Sequence, residues 1–519
     1  MRLKDILKDC EITKGNVLDD FEVEEVSYDS RKATKNSLFV AIRGEKYDGH
    51  EFIKDAIRNG ALAVICEDGY LDIIKGDLPD EILLIGVSNT RKALACVANN
   101  FFGRPSERLT LIGVTGTNGK TTTTYLVKSI LDRWGRKAGL IGTIQYMIGD
   151  KIYPAIHTTP ESLEYQGILR DMVSSGCSFA VSEVSSHALA QYRVDKAKFD
   201  IAVFTNLTRD HLDFHLTMEN YYIAKRRLFD ELLIHKGAAI INIDDEYGLR
   251  LYRELKDGVV GSNKEIRILL TSYLGRDADI TAHNVKATFD GLDFDIMYNN
   301  NICPISSKLT GFINVYNILS AFGVAVSLDI PFGVISEGIK DMDLVKGRFE
   351  KIDLGQPFLC IIDYAHSPDA LERLIIGAKE LAVENVAHRC RKNTPHIITV
   401  FGCGGDRDRG KRPEMGRIAT MLSDFTIITS DNPRTEDPLS IIKDIESGVV
   451  SKNYVVIPER EEAIKVAIEM AESDDVVLIA GKGHEDYQEI KGERYKFSDK
   501  EVAEKYIKKR IMNDKYIMK

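Results

Sequence analysis

A glycine-rich segment that follows an apolar run carries the clearest chemical signal in the sequence. The run Leu109–Val114 leads into Gly116-Thr117-Asn118-Gly119-Lys120-Thr121, and a helix is predicted from Thr122 to about Arg133. A loop between a strand and a helix directs backbone N–H groups at phosphate oxygens, and the helix N-terminus adds positive potential. In such a loop the lysine contacts terminal phosphates, and the hydroxyl that follows it ligates Mg2+. The segment therefore predicts a nucleotide-phosphate site.

The spacing of the glycines departs from the commonest phosphate-binding pattern. The pattern G-x-x-x-x-G-K-[ST] would require glycine at position 114, where the chain has Val114. The glycines stand instead at positions 113, 116 and 119. This variant favours a distinct subclass over an ordinary GTPase or kinase.

Three further side chains could take part in metal or phosphate chemistry. Glu183 ends an apolar run, where it suits a Mg2+ ligand, and a helix cap is the alternative. His211 follows another apolar run, but a lone histidine is more often structural. Lys225 lies in an amphipathic helical pattern, for which a solvated face is the ordinary interpretation. From the residues alone, these alternatives stay open.

Short β-rich runs alternate with longer helical patterns, which predicts an α/β fold with parallel sheets. Several of these strands end in loops that carry Gly, Asp or Asn, and such carboxyl ends bind ligands in open α/β sheets. Breaks near Gly103-Arg104-Pro105-Ser106 and near 343–347 predict three domains, at residues 1–105, 106–344 and 345–519. The predicted strands are Leu109–Val114, Phe179–Glu183, Ile201–Thr205, Ala238–Ile243, Ile397–Phe401, Phe425–Thr429 and Val476–Ala480.

Composition narrows the class of protein. The 519 residues include 69 Lys and Arg against 79 Asp and Glu, a formal charge of −10, which argues against broad binding of nucleic acid. No apolar run approaches the roughly 18 residues that a membrane span needs, and the N-terminus lacks the pattern of a signal peptide. The eight cysteines contain no C-x-x-C pair, so reduced, buried thiols in a cytoplasmic protein are expected.

Taken together, the motifs resemble those of the Mur ligase family along nearly the whole chain. The resemblance implies a UDP-binding N-terminal domain, a central P-loop-type ATPase domain and a Rossmann-like C-terminal domain. It implies an ATP-dependent amide ligase that works through an acyl-phosphate. The matching segments after the glycine-rich loop are His157-Thr158-Thr159-Pro160, Glu183-Val184-Ser185-Ser186-His187, Asn206-Leu207-Thr208-Arg209-Asp210-His211-Leu212-Asp213, Asn314-Val315-Tyr316-Asn317, Gly347-Arg348-Phe349-Glu350 and Asp363-Tyr364-Ala365-His366-Ser367-Pro368.

The resemblance also implies roles for individual residues. Lys120, His211 and Lys225 would be catalytic, with Lys225 carbamylated by CO2 and serving, with Thr121, Glu183 and His211, to hold Mg2+. The residues implied to bind ATP are Thr115, Gly116, Thr117, Asn118, Gly119, Lys120, Thr121, Asn317, Arg348, Asp363 and His366. Those implied to bind a UDP-muramoyl-dipeptide are Ser30, Thr158, Thr159, Ser185, Gln191 and Arg193.

The choice of amino acid rests on one short turn. Asp431-Asn432-Pro433-Arg434 is similar to the tetrapeptide of the branch that adds meso-diaminopimelate to UDP-N-acetylmuramoyl-L-alanyl-D-glutamate. The residues implied to bind the amino acid are Arg407, Asp431, Asn432, Pro433, Arg434, Gly481 and Glu485. An L-lysine-adding ligase, another Mur-type ligase, a folylpolyglutamate synthetase and a non-catalytic nucleotide switch are the alternatives. A monomer is expected.

Overall fold

The computed structural model describes residues 1–15, 20–44, 47–74, 76, 78–79, 81–258, 265–389 and 395–517, so that Cys390 lies outside the described residues. The strands of the described residues form three sheets, in which most neighbouring strands are parallel, and one β-hairpin. None of the helices within them has both the length and the apolarity to cross a bilayer.

The N-terminal sheet has four parallel strands in the order β1-β2-β3-β4, with helices packed against it. Its strands are β1 (Glu25–Ser27), β2 (Ser37–Val40), β3 (Ala61–Glu67) and β4 (Leu83–Val87). Its helices are α1 (Leu3–Ile6), α2 (Ile53–Arg58), α3 (Asp68–Ile74) and α4 (Thr90–Phe101), with 3-10 turns at Ser30–Lys32, Gly49–Phe52 and Pro105–Arg108.

The central sheet has eleven strands and positions the glycine-rich loop near its middle. The order is β15-β14-β13-β12-β11-β10-β5-β9-β6-β7-β8, parallel from β13 to β6 and antiparallel at both edges. The strands are β5 (Thr110–Thr115), β6 (Ala138–Ile141), β7 (Gln145–Ile148), β8 (Lys151–Pro154), β9 (Phe179–Glu183), β10 (Phe199–Phe204), β11 (Leu233–Asn242), β12 (Arg267–Ser272), β13 (Ile280–Thr288), β14 (Gly291–Tyr298) and β15 (Asn301–Ser307). The helices are α5 (Lys120–Arg133), α6 (Ser162–Ser174), α7 (Ser186–Ala190), α8 (Leu212–His215), α9 (Met218–Arg227), α10 (Glu246–Lys256), α11 (Ile313–Ser327) and α12 (Phe332–Asp341), with a π-helical turn at Leu228–Leu232.

The C-terminal sheet has six strands in the order β16-β17-β21-β18-β19-β20, of which only β16 is antiparallel. The strands are β16 (Glu350–Ile352), β17 (Leu359–Asp363), β18 (Ile397–Phe401), β19 (Phe425–Ile428), β20 (Tyr454–Val456) and β21 (Val476–Ala480), followed by a hairpin of β22 (Tyr487–Ile490) and β23 (Glu493–Lys496). The helices are α13 (Pro368–Arg389), α14 (Lys411–Leu422), α15 (Pro438–Glu446), α16 (Arg460–Met470) and α17 (Asp499–Ile517).

The predicted α/β fold class is confirmed, and the apolar runs explain why. The strands β9, β18 and β21 have the predicted bounds, and all their residues are buried because helices cover both faces of a parallel sheet. The strand predicted from Ala238 begins earlier, at Leu233. The predicted site residues that belong to strands stand at the carboxyl ends of those strands, and therefore at the carboxyl edge of a sheet.

The expectation that the cysteines are unpaired thiols is wrong for two of them. Cys10 and Cys96 form a disulfide with Cα atoms 5.7 Å apart. The pair links the chain after α1 to α4, and residues so distant in sequence meet because α1 packs against α4. Among the other described cysteines, all are buried and free: Cys66, Cys177, Cys303, Cys360 and Cys403.

Candidate active site

The glycine-rich loop connects β5 to the N-terminus of α5. Gly116 and Gly119 have φ of 146° and 85°, a region that side chains with a Cβ rarely adopt. A Cβ at Gly116 would collide with the Thr205 hydroxyl, and one at Gly119 with the Asn317 amide oxygen. Both glycines are therefore required by this loop. Lys120 folds over the loop, and its Nζ donates to the carbonyls of Gly116 and Thr117, at 2.9 Å each.

Glu183 forms an oxygen-rich cluster beside this loop. Its Oε2 accepts from the hydroxyls of Thr121 at 3.1 Å and Thr143 at 2.9 Å, and its Oε1 accepts from the Thr143 N–H at 2.8 Å. The side chain that caps α7 is Ser185, not Glu183. A buried carboxylate with adjacent hydroxyls is a donor set that suits Mg2+. The residues present thus fit the metal that the sequence predicts.

Lys225 and His211 lie close to this cluster, and their surroundings lower the pKa of each side chain. Lys225 is buried, its Nζ donates to the Gly116 carbonyl at 2.7 Å, and it lies 4.7 Å from the centre of the Tyr221 ring. Burial, and then the charge of Lys120, hold the pKa of Lys225 well below its usual value. Burial lowers the pKa of His211 to about 2, against the opposing effect of Asp210.

Within the described residues, no three His, Cys, Asp or Glu side chains converge as a ready-made metal site. This is consistent with the predicted donor set, because that set includes a threonine hydroxyl and a modified lysine, neither of which belongs to these four types. The predicted ligands Thr121 and Glu183 are in direct contact, and Lys225 and His211 are neighbours of the same loop.

A cavity of about 370 Å³ lies between the central and C-terminal domains and opens onto the loop. Arg348 donates from Nη2 to the Thr121 hydroxyl at 3.2 Å and lies over the Tyr364 ring. Asp363 accepts from the Phe349 N–H at 2.6 Å. The predicted ATP-binding residues that line the cavity are Thr117, Asn118, Gly119, Lys120, Thr121, Asn317, Arg348, Asp363 and His366.

Two predicted ATP-binding residues lie behind the cavity wall. Thr115 is fully buried, and its carbonyl accepts from the Thr205 N–H at 3.1 Å, so it supports the loop from below. Gly116 is not part of the lining, but its carbonyl accepts from both Lys120 and Lys225.

Sequence reasoning missed two carboxylates that join the domains here. Asp210 is buried, and its Oδ1 lies 3.6 Å from Lys411 Nζ while its Oδ2 lies 3.6 Å from His366 Nε2. Asp369 accepts from Asn118 Nδ2 at 2.9 Å. Asp210 lies within one of the segments that carry the resemblance but was given no role there, and Asp369 directly follows another such segment, which ends at Ser367-Pro368.

The residues predicted to bind the muramoyl-dipeptide form a connected network except for Ser30. Thr159 Oγ1 accepts from the Ser185 N–H at 3.1 Å, and Arg193 donates to the Thr159 carbonyl at 3.2 Å and to Gln191 Oε1 at 2.7 Å. The Thr158 and Thr143 hydroxyls lie 3.1 Å apart, which ties the network to Glu183.

The N-terminal domain joins this network through charged contacts. Glu161 Oε2 accepts from Arg91 of α4 at 2.9 Å and lies 3.4 Å from Arg193 Nε. The Tyr28 hydroxyl, two positions before Ser30 in the chain, donates to Glu164 at 2.9 Å. Ser30 itself begins a 3-10 turn in the N-terminal domain, away from the hydrogen bonds of the network.

The predicted amino-acid residues meet at the carboxyl edge of the C-terminal sheet. Glu485 Oε2 accepts from Asn432 Nδ2 at 2.8 Å and from Lys482 Nζ at 2.9 Å. Asp431 is buried, and its Oδ2, close to Gly481, has no hydrogen-bond partner among the described residues.

Arg434 and Arg407 flank these residues on two adjoining loops. Arg434, which follows Pro433, donates from Nη1 to the Gly405 carbonyl at 2.7 Å, and its Nε lies 3.6 Å from Glu489 Oε2. Arg407 is exposed and donates to its neighbour, the Asp406 carbonyl, at 2.9 Å.

Known protein families match the chain in three consecutive parts. "Mur ligase family, catalytic domain" matches residues 22–102, "Mur ligase middle domain" matches 114–325, and "Mur ligase, glutamate ligase domain" matches 347–483.

Similar proteins cover nearly the whole chain. A protein of Clostridium tetani named UDP-N-acetylmuramoyl-L-alanyl-D-glutamate--2,6-diaminopimelate ligase is 43% identical over 511 residues, which is 98% of this chain and 99% of that one. A protein of Caldanaerobacter subterraneus with the same name is 43% identical over 510 residues, 98% and 99% of the two chains.

Solved structures show the same architecture. A structure of UDP-N-acetylmuramoyl-L-alanyl-D-glutamate--2,6-diaminopimelate ligase has 32% identity and a TM-score of 0.63, covering 94% of this chain and 95% of its own. The MurF ligase of Thermotoga maritima in complex with ADP has 20% identity and a TM-score of 0.62, covering 93% and 98%, and supports the fold alone.

Proposed function

The chain belongs to the Mur ligase family of ATP-dependent amide ligases of peptidoglycan synthesis, and on that premise we propose that it adds meso-diaminopimelate to UDP-N-acetylmuramoyl-L-alanyl-D-glutamate. The observation that carries the proposal is the cavity between the phosphate loop and the C-terminal domain, whose lining includes Thr158 and Ser185 of the muramoyl network. Tyr364, also in the lining, donates to Glu485 of the amino-acid loops at 3.5 Å. The names of the relatives that are 43% identical support the same choice of substrates.

The reaction needs ATP because a carboxylate is a poor electrophile and does not transfer its acyl group to an amine unaided. A carboxylate oxygen of the dipeptide attacks the terminal phosphorus of ATP, and ADP leaves. The amine nitrogen then attacks the acyl carbon, phosphate leaves with the electron pair of the C–O bond, and the nitrogen loses a proton. The first step brings two anions together, so preorganised cations lower its barrier most.

The residues of the loop meet this requirement. Lys120 would exchange its two carbonyl contacts for the terminal phosphates of ATP, and Arg348 would approach the same phosphates from the C-terminal domain. Thr121, Glu183, His211 and the carbamate of Lys225 would hold Mg2+, which when bound offsets the charge of the phosphates. Asn317, Asp363 and His366 would bind the adenine and ribose side.

Carbamylation of Lys225 is part of the proposal. The reaction with CO2 needs a neutral amine, and this amine is buried next to Lys120, with a carbonyl as its hydrogen-bond acceptor. The carbamate would place an anion beside Lys120 and supply the oxygen ligand that Mg2+ prefers.

The selection of the amino acid follows from the charges of the C-terminal loops. Asp431 Oδ2 and Glu485 would accept from an ammonium group, and Arg434 would pair with the distal carboxylate of meso-diaminopimelate. Lysine has no such carboxylate, so Arg434, whose side chain is 19% exposed, would keep only its contacts with Gly405 and Glu489. The site therefore favours diaminopimelate.

The remaining features follow the same family pattern. Ser30 would contact the uridine, and Thr158, Thr159, Ser185, Gln191 and Arg193 the muramoyl-dipeptide. Domain boundaries near 105 and 344 are supported by the separation of the three sheets along the chain. A cytoplasmic monomer is the proposed form.

Phosphate release from ATP with the UDP-dipeptide tests the proposal, comparing meso-diaminopimelate, L-lysine and no amino acid. Release only with diaminopimelate, together with a tripeptide product, is expected. Equal use of lysine would retain the ligase and refute the role of Arg434. No release with either amino acid would point to another Mur-type ligase or a folylpolyglutamate synthetase. ATP binding without any turnover would support a nucleotide switch.

A further inference from the structure

A fully buried ion pair lies under the amino-acid loops of the C-terminal domain. Arg460 and Asp499 both have 0% side-chain exposure. The guanidinium donates from Nε to Asp499 Oδ1 at 2.7 Å and from Nη2 to Oδ2 at 2.8 Å. Two carbonyls complete its surroundings, Ala480 at 2.9 Å from Nη2 and Ser430 at 3.3 Å from Nη1.

The position of Arg460 on its helix does not favour a positive charge. It is the first residue of α16, where the helix dipole disfavours a cation, while Asp499 is the first residue of α17, where the dipole favours an anion. A buried guanidinium is tolerated only with full pairing, and a buried pair is not by itself a source of stability. The arrangement therefore calls for an explanation beyond stability.

The two carbonyls identify what the pair holds. Ala480 ends β21 and directly precedes Gly481, and Ser430 directly precedes Asp431. β18 separates β19 from β21 in the sheet, so the carbonyls follow strands that do not pair with each other. Strands two apart are separated by roughly 10 Å. Direct hydrogen bonds between the two segments lie farther along the loops, from Lys482 Nζ to Asn432 Oδ1 at 3.1 Å, from Asn432 to Glu485, and from the Arg434 N–H to the Glu489 carbonyl at 3.0 Å. The Arg460 guanidinium therefore links the bases of the loops.

The electrostatics connect the pair to the same loops. Burial alone would lower the pKa of Arg460, but Asp499 and, with smaller effects, Asp431 and Glu485 outweigh it, so the pKa stands above its usual value. Arg460 thus also counteracts the repulsion between the two carboxylates proposed to receive the ammonium group.

We propose that Arg460, held by Asp499, is a positioning residue that fixes the separation of loops 431–434 and 481–485 and thereby sets the affinity for the incoming amino acid. This inference rests on the proposed function, because it takes those loops to be the amino-acid site. The planar fork of arginine reaches both carbonyls and the carboxylate at once, which a lysine ammonium cannot do.

Steady-state kinetics of R460K and D499N test the inference. R460K keeps the charge opposite Asp499 and loses the bridge between the carbonyls. D499N keeps the arginine and loosens it. Because displacements of about 1 Å in a site cost on the order of a hundredfold, the KM for the amino acid is expected to rise at least about tenfold in both variants. The KM values for ATP and the UDP-dipeptide should change less than about twofold.

A matched control lies at the opposite end of β21. Asp475 is a buried carboxylate that accepts from the His396 N–H at 3.0 Å and the Glu472 N–H at 2.7 Å, at the edge away from the loops. D475N should destabilise the same domain without changing the KM for the amino acid. Melting curves identify the temperatures at which each variant is folded, and D499N carries the test if R460K does not fold.

The outcomes separate this inference from the proposed function. An equal rise of all three KM values, or a profile like that of D475N, would refute the positioning role. If the wild-type protein uses an amino acid other than diaminopimelate, the proposed specificity fails, and the KM for that amino acid becomes the test. An unchanged KM for the amino acid used, in a folded variant, would overturn the inference.

Discussion

At the scale of single residues, the main feature of the proposed reactive centre is a pair of lysines that share one hydrogen-bond acceptor. Lys120 and Lys225 both donate to the Gly116 carbonyl, at 2.9 and 2.7 Å. The pKa of each is lowered, chiefly by burial, and for Lys225 also by the charge of Lys120. Burial and the neighbouring charge of Lys120 thus favour the neutral form of Lys225, the form that reacts with CO2.

Replacing Lys225 by alanine should abolish activity and permit chemical rescue. The substitution removes the carbamate that is proposed to bind Mg2+, and a small carboxylate such as acetate can enter the space and supply the missing oxygens. Phosphate release should fall at least about a hundredfold and recover in part as acetate is added. Lys236→Ala, at an exposed lysine of the same domain, is the control and should retain full activity. Failure of every small carboxylate to restore turnover would count against the carbamate.

Arg434 should control the choice between diaminopimelate and lysine. Arg434→Met removes the cation opposite the distal carboxylate, so kcat/KM for diaminopimelate should fall by about a hundredfold or more, whereas the value for lysine should not fall. The control is Arg494→Met, which changes an exposed arginine on the adjacent hairpin. An equal loss of kcat/KM with both amino acids would show that Arg434 supports the loop but does not contact the distal carboxylate.

How far the sequence predicts the site depends on whether a residue lies in a local pattern. The phosphate loop is local, because its glycines, Lys120 and Thr121 lie within six consecutive positions. Asp369 meets Asn118 across 251 positions and Arg460 meets Asp499 across 39, so their partners are set by the topology of the sheet. The candidate site could be located from sequence, but the carboxylates that close it could not.

At the scale of elements, burial decides which strands could be predicted. β21 is covered on both faces and reads as an unbroken apolar run, so its bounds were predicted correctly. β8 lies at the edge of the central sheet with every residue exposed, and it carries no apolar run that would have revealed it. At the other edge of the sheet, β14 and β15 alternate buried with exposed residues, so they also lack an unbroken apolar run.

The disulfide between Cys10 and Cys96 should stabilise the N-terminal domain. It closes a loop with a sequence separation of 86 residues, and a link of this size contributes about 2–4 kcal/mol by restricting the unfolded chain. Dithiothreitol should lower the melting temperature of the wild-type protein and leave that of the Cys10→Ser/Cys96→Ser variant unchanged.

Thiol titration gives an independent check on the pairing. Eight cysteines less the two of the disulfide leave six thiols in the denatured, unreduced protein, and eight should be counted after reduction. Eight thiols before reduction would show that the two sulfurs are unpaired in solution.

At the scale of the whole molecule, one short segment connects the central and C-terminal domains. Thr208 donates to Asp369 at 3.3 Å, Arg209 lies 3.5 Å from Asp408, and Asp210 faces Lys411 and His366. The segment follows β10 and precedes His211, so the contacts that hold the domains together are adjacent to the proposed metal ligands. Contacts between the two domains and the proposed metal ligands therefore lie on the same stretch of chain.

Histidines whose pKa the fold lowers should make the folded protein less stable in mild acid. Burial, with His187 and Lys225, lowers the pKa of His215 to about 4, and burial, with Arg348 and Lys482, lowers that of His484 to about 3. The unfolded chain binds these protons near pH 6.5, whereas the fold keeps both rings neutral. Their contribution is complete above pH 6.5 and is lost progressively as the pH falls towards the folded values.

Denaturation in urea at pH 7.5 and pH 5.5 measures this loss, in a window above the titration of ordinary carboxylates. His215 and His484 should each account for about 1.4 kcal/mol of the decrease in the free energy of unfolding. His484→Gln cannot take up the proton, so it should remove about 1.4 kcal/mol of the difference between the two pH values. The contributions of the other histidines remain, including that of His215, whose Nε2 lies 2.9 Å from the Ser186 hydroxyl. The same pH dependence in the variant and the wild-type protein would mean that His484 takes up its proton in the folded state. The cavity wall beside Arg348 would then be accessible to protons as well.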